Sequence, residues 1–191
     1  MNILHIDSCA LGDHSISRQM TARAVASLCE LAPQSSVVYR DVAAAPLAHI
    51  SGPLMQALRQ QWHQDIPMSA DLRAEVQLSA ALWHEFIDAD VLVLGAPLGS
   101  FFLPTTLQTW LERLLLLGTR PMQQRERATR VLLVSSSSLG EPLEPSRTKA
   151  LEDHLTTTLR HLGVGIVETF NPGNAVRNWA LQETEGTPDF I

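Results

Sequence analysis

The stretch Asp90-Val91-Leu92-Val93-Leu94-Gly95-Ala96, with Pro97 after it, decides the fold. Its apolar side chains stand on successive positions, so both faces of the segment need cover. That is the pattern of a strand inside a parallel sheet. Working outward, Ile3 to Asp7 and Arg130 to Val134 share the pattern, while Ser36 to Asp41 and Val164 to Glu168 read as less buried strands. Helical stretches lie between them: about Ser15 to Leu31, Ala70 to Ala89, Pro104 to Leu117, and Ser146 to Leu162. Strict alternation of strand and helix implies right-handed crossovers and a three-layer α/β sandwich. Ser15 stands where an N-cap is wanted, Pro104 at the first helical position, and Gly163 as a C-cap after His161-Leu162. The polar segment Leu54 to Ile66 has no place in this order. Asn174 to Ile191 reads as a short C-terminal helix and tail.

A chain of 191 residues has room for one full core, so a single domain over 1–191 is expected. At 45% hydrophobic and 18% charged residues it is globular in composition, which excludes disorder and fibrous repeats. Fourteen basic residues against 20 acidic ones give a net charge of −6, which argues against nucleic acid as a partner. The apolar run Trp110 to Gly118 is far shorter than the roughly 20 residues of a spanning helix, so no membrane segment is expected. The strand-like Asn2 to Ile6 leaves no room for a leader ahead of it, and a cytoplasmic protein is expected. Cys9 and Cys29 form no CxxC pair and read as reduced thiols.

Ligands of open α/β sheets bind beyond the carboxyl ends of the strands, which directs attention to three loops. The first, Ser8 to Arg18, runs from strand to helix with Ser8, Ser15 and Ser17 in it. Hydroxyls and unpaired N–H groups at a helix N-terminus make an anion site suited to a phosphate monoester. Arg18 favours an anion there, and Asp7 and Asp13 oppose it; the plainer alternative is that Ser15 only caps the helix. The loop is neither GxxxxGK[ST] nor GxGxxG, which sets aside nucleoside triphosphates and dinucleotides as its ligands. The second loop, Pro97-Leu98-Gly99-Ser100-Phe101-Phe102-Leu103-Pro104, offers aromatics to stack on a planar ring or to fill a gap beside the sheet. The third, Ser135-Ser136-Ser137-Ser138-Leu139-Gly140, offers hydroxyls and backbone donors. His5 and Asp7 share a strand face, and His154 and His161 share a helix face, without a third metal ligand. Trp83 and Phe86 read as core or subunit packing.

These residues place the chain in a resemblance. Ser8-Cys9 with Ser15-Ile16-Ser17, Arg40-Asp41-Val42-Ala43-Ala44-Ala45-Pro46-Leu47, and Ala96-Pro97-Leu98-Gly99-Ser100-Phe101 leading to Leu103-Pro104-Thr105 resemble the FMN-dependent NADH:azoreductases, also called NAD(P)H:quinone reductases, over roughly residues 1 to 170. The resemblance implies a flavodoxin-like fold with a five-stranded parallel sheet in order 2-1-3-4-5. It implies FMN as cofactor, NAD(P)H as electron donor, a quinone or azo aromatic acceptor, and a homodimer that uses apolar surface such as Phe102, Trp110 and the Trp83 face. It assigns Ser8, Ser15, Ile16 and Ser17 to the FMN phosphate. Pro97, Leu98, Gly99, Ser100 and Phe101 fall at the ring, with Ser135, Ser136, Ser137 and Ser138 closing over it. Departures from the family pattern are specific: Leu98, Gly99 and Ser100 replace Met-Tyr-Asn, and Ser136, Ser137 and Ser138 replace Arg-Gly-Gly. An aromatic hairpin is reduced to about Gly118 to Thr129. They leave open an alternative, a flavin-poor relative whose pocket serves a non-redox enzyme or a small-ligand binding role, with His14 as its candidate base.

Overall fold

The computed structural model describes residues 1–63, 66–97, 102–118, 129–136 and 145–169. Five parallel strands, β1 (Asn2–Asp7), β2 (Ser36–Asp41), β3 (Val91–Pro97), β4 (Arg130–Ser136) and β5 (Ile166–Thr169), form one sheet in the order β2-β1-β3-β4-β5. Five helices connect them: α1 (Ile16–Leu31), α2 (Gly52–Leu58), α3 (Ala70–Asp88), α4 (Thr105–Gly118) and α5 (Pro145–His161). This is the flavodoxin-like order expected above.

Burial explains the arrangement. All seven residues of β3 are buried, since β3 lies at the centre of the sheet and is covered on both faces. Leu4, Ile6, Leu92, Leu94, Val131 and Leu133 point to one face, against Phe86 of α3, Leu107 and Trp110 of α4, and Leu155 and Leu159 of α5. Ile3, Val91, Val93 and Leu132 point to the other, against Ala24 and Leu28 of α1. Strand alternation thus splits one apolar run between two cores. Edge strand β2 is largely exposed, as its weaker pattern suggested.

Most boundaries agree with the sequence. Ser15 caps α1, its Oγ accepting from the Arg18 N–H. Gly163 adopts φ +85° beyond α5, where its N–H donates to the Arg160 carbonyl and that of Val164 to the Leu159 carbonyl. The two bonds satisfy carbonyls that the helix end leaves open. Two expectations are corrected. Pro104 lies one place ahead of α4, its carbonyl accepting from Gln108, so it is the capping residue and not the first helical one. Trp110 is no docking surface: with Leu107, Leu111 and Leu114 it forms the stripe of α4 that faces the sheet, and it is fully buried, its ring edge-on to Phe86. The segment from Leu54, unplaced by its sequence, begins inside the short helix α2, capped by Ser51. The expected helix and tail over 174–191 lies outside the described residues.

A buried cation ties the segment after β2 to this frame. The Arg113 guanidinium, with no exposed surface, donates to the Ala48 carbonyl at 2.7 Å, to Ser79 Oγ at 2.9 Å and to the Glu75 carboxylate at 2.5 Å. Such a cation is tolerable because it is both paired and hydrogen-bonded.

Gly95 of β3 leaves no room for a side chain. A Cβ there would lie 2.8 Å from Asp7 Oδ1 and 3.1 Å from Thr21 Cγ2. Gly95→Ala is therefore expected to lower unfolding free energy by about 1–3 kcal/mol through overpacking. Gly52→Ala, where a Cβ meets nothing within 4 Å, is expected to be near neutral. Urea denaturation of both variants checks this, and equal stability of the two would contradict it.

Candidate functional site

The chain leaves β1 at Asp7 and turns toward α1 through residues 8–15. Ser8 is buried and donates to the Gly95 carbonyl at 2.7 Å, which ties the start of the loop to β3. Gly12, at φ +55°, opens a single 3-10 turn, Gly12–His14, in the left-handed region that glycine adopts at little cost. The turn closes with His14 N–H to the Leu11 carbonyl and Ser15 N–H to that of Gly12. Asp13 and His14 are exposed.

Ser15 and Ser17 are both buried, with their Oγ atoms 2.9 Å apart. Each hydroxyl has one proton to give. One of the two protons is spent between them and the other is left for a ligand, whereas that of Ser8 is committed to Gly95. The N–H groups of Ile16 and Ser17 open the first turn of a 16-residue helix and have no carbonyl of that helix to donate to. One hydroxyl proton, two amides and the positive end of the helix dipole are therefore available at the same helix end. This donor set fits a phosphate monoester such as that of FMN.

Behind the loop lies a network that sequence reading did not assemble. Asp7 accepts from Thr21 Oγ1 at 2.8 Å and from the Tyr39 hydroxyl at 3.1 Å. His5 Nε2 lies 3.4 Å from Asp7 Oδ2 without forming a hydrogen bond, and its ring packs on Tyr39 at 4.8 Å. Arg18 reaches Asp41 Oδ2 at 2.6 Å, the Tyr39 hydroxyl at 3.1 Å and the Cys9 carbonyl at 3.3 Å. Asp41 also accepts from the N–H groups of Ala43 and Ala44. Burial pulls the Asp41 carboxyl upward, and the Arg18 hydrogen bond with these two amides outweighs it, leaving the pKa below the ordinary value. The Tyr39 phenol is pushed up to about 12, first by burial and then by the Asp7 charge. The parallel register His5↔Tyr39 and Asp7↔Asp41 sets all four on the face that α1 covers, a placement readable only once the strand pairing is known.

At the other end of the site Pro97 is buried as the last residue of β3, paired in register with Ser136 of β4. Ser135 donates to Glu152 Oε1 on α5 at 2.7 Å, so its proton is engaged within the protein. Leu98, Gly99, Ser100, Phe101, Ser137 and Ser138 lie outside the described residues, as do residues 119–128, on which the expected shortening of the aromatic hairpin falls. Phe102, in the second loop, is 72% exposed. It stands at a groove of about 270 Å³ between α4 and α5, lined also by Leu103, Leu111, Leu115, Leu151 and His154. Among the described residues no cluster of His, Cys, Asp and Glu is arranged to hold a metal ion, and no helix is long and apolar enough to cross a membrane.

A family model described as flavodoxin-like fold matches residues 1–185. An FMN-dependent NADH:quinone oxidoreductase of Methylocella silvestris is 37% identical over 177 residues, covering 88% of this chain and 85% of that protein. Another, from Legionella pneumophila, is 32% identical and covers 97% of this chain and 94% of its own. The match to FMN-dependent NADH:quinone oxidoreductase 2 of Bradyrhizobium diazoefficiens is 44% identical but spans only 56% of that relative. Among solved structures, an FMN-dependent NADH-azoreductase from Bacillus anthracis in complex with FMN superposes with a TM-score of 0.67 at 16% identity, over 97% of this chain and 96% of that one. At that identity the likeness speaks for the fold.

The network behind the loop gives a direct optical prediction, because Tyr39 is the chain's one tyrosine. Folding raises the phenol's pKa, so its stabilising contribution is whole below the ordinary tyrosine range and is lost as pH climbs toward 12. Tyrosinate absorbance of the folded protein is expected to titrate with a midpoint near 12. A midpoint at tyrosine's ordinary value of 10.0 would place the phenol in solvent, away from Asp7.

Proposed function

The chain belongs to the flavodoxin-like fold family, together with the FMN-dependent NADH:quinone oxidoreductases it matches over most of its length, and on that premise we propose that it is an FMN-dependent oxidoreductase reducing quinones or azo and related aromatic acceptors with NAD(P)H. The observation that carries this reading is the donor set at the start of α1: the Ser15–Ser17 hydroxyl pair with the N–H groups of Ile16 and Ser17. Bound FMN supplies hydride chemistry, with NAD(P)H as donor and the quinone or azo compound as acceptor in alternating half-reactions.

The residues of this chain bind and orient. Ser15, Ile16 and Ser17 take the phosphate, and Ser8 shapes the loop from below through Gly95. Pro97 and the loop 98–101 take the edge of the ring, with 135–138 closing over it; backbone N–H groups in both loops serve there, so the loss of family side chains is tolerable. No acid or base from the protein is required, in keeping with the absence of a catalytic triad from the sequence. The flavin-poor alternative is not favoured, since the curated relatives reported above are named for FMN. A homodimer belongs to the same reading, and Phe102 at the mouth of the α4–α5 groove is the apolar surface it would cover. Two free thiols, Cys9 and Cys29, suit a reducing compartment, and we assign the protein to the cytoplasm.

Equilibrium binding of FMN and riboflavin tests the phosphate assignment. Replacing Ser15 and Ser17 together by Ala is expected to weaken FMN by roughly 10- to 100-fold, the scale of one or two lost charge-assisted hydrogen bonds. Riboflavin, which lacks the phosphate, should be bound as by the wild type. Unchanged FMN affinity would overturn the assignment. Light scattering is expected to give a dimer mass; a monomer would refute the assembly.

A further inference from the structure

We propose that Arg18 is a positioning residue for the phosphate loop: its guanidinium, neutralised by Asp41, braces the loop at the Cys9 carbonyl and so fixes Ser15 and Ser17, without itself touching the phosphate. The inference rests on the phosphate reading given under Proposed function.

Arg18 is the third residue of α1, and by charge alone it would be taken for an anion ligand. The geometry assigns its charge elsewhere. One terminal nitrogen lies 2.6 Å from Asp41 Oδ2 and also donates to the Tyr39 hydroxyl; the other donates to the Cys9 carbonyl; Nε is buried and has no hydrogen-bond partner among the described residues. The guanidinium therefore joins α1 to the end of β2 and to the loop after β1. Its own backbone N–H meanwhile donates to Ser15 Oγ, so the same residue holds both ends of the 8–15 turn. The Arg18 side chain is 18% exposed and that of Asp41 14%, so a Coulombic pair between them is only partly screened. To serve as a ligand the guanidinium would have to leave Asp41, uncovering that carboxylate beside Asp7 and near the incoming dianion. Charge balance opposes the exchange. Arg18 cancels one of the two carboxylates at the strand ends, and neutral hydroxyl and amide donors recognise the phosphate.

Ligand and brace differ in what Asp41 does. If Arg18 is a ligand, Asp41 competes with the phosphate, and its removal should leave FMN affinity unchanged or improve it. If Arg18 is a brace, Asp41 is half of it. We therefore expect Arg18→Gln and Asp41→Asn each to weaken FMN by roughly tenfold, the effect of losing a charge-assisted bond that fixes the site. The double variant should be no weaker than either single one, because both changes break the same interaction. Arg18→Lys, which keeps the ion pair and loses the fork to Cys9, should fall between wild type and Arg18→Gln. Riboflavin affinity should remain near wild type throughout.

The measurement is fluorescence titration of the apoprotein with FMN and with riboflavin, alongside the thermal midpoint of each apo variant. Unchanged or tighter FMN binding by Asp41→Asn would overturn the proposal in favour of a direct ligand, and additive losses in the double variant would overturn it by showing that the two residues act independently. Equal losses for FMN and riboflavin would overturn it in favour of a general structural role. Wild-type protein that binds both flavins alike would overturn the phosphate reading and this inference with it, whereas discrimination kept intact in Arg18→Gln overturns the inference alone. Should Arg18→Gln fail to fold, Asp41→Asn and Arg18→Lys decide between the same outcomes.

Discussion

Asp7 is 2% exposed at the carboxyl end of β1, and a carboxylate held there must find donors in the elements packed around it. Thr21 answers from α1 and Tyr39 from β2, with His5 alongside on β1 itself. On β3 the answer is an omission: Gly95 has no side chain, so the carboxyl group and Thr21 fit against the strand. Its own carbonyl then accepts from Ser8, the residue after Asp7. One buried group thus determines which residues stand on three adjacent strands and a helix, and the loop that starts beside it inherits their rigidity. Satisfying a buried polar group completely favours a single arrangement, because each missing partner would cost about 1–3 kcal/mol.

Rigidity matters because recognition at this loop is geometric. A hydroxyl pair and two amides bind a phosphate only if they are already aimed, and their alignment then costs nothing at the moment of binding. On the proposed reading the nearby Arg18, paired with Asp41, holds that geometry. At the other end of the site the same economy applies to side chains: Ser135 gives its proton to Glu152, and the residues that replace the family's Met-Tyr-Asn and Arg-Gly-Gly are small or apolar. Backbone donors survive such replacements, since every residue but proline brings an N–H with it.

The fold was legible because Val91 to Leu94 and Val131 to Val134 put apolar side chains on both sides of the strand, and Ile3, Leu4 and Ile6 do the same on β1 beside His5 and Asp7. Ser15 and Gly163 could be placed for a similar reason, as each meets a local demand of a helix end. What escaped depends on neighbours distant in sequence. Trp110 looked available because an apolar helix stripe does not say which side meets the sheet. Asp7 looked like an obstacle to an anion because its pairing with Tyr39, like that of Arg18 with Asp41, appears only when β1 and β2 are set in register. Ser8 was read with Ser15 and Ser17 from the motif; its bond to the Gly95 carbonyl spans 87 residues and leaves no local trace.

Anaerobic absorbance of the FMN-loaded protein shows whether this scaffold holds FMN for two-electron transfer between NAD(P)H and an acceptor, as proposed. Stoichiometric NADH or NADPH is expected to bleach the oxidised flavin band, and a quinone added afterwards to restore it, without both substrates being present together. Protein that fails to retain FMN from excess, or that retains it and stays yellow with both reductants, would contradict the account.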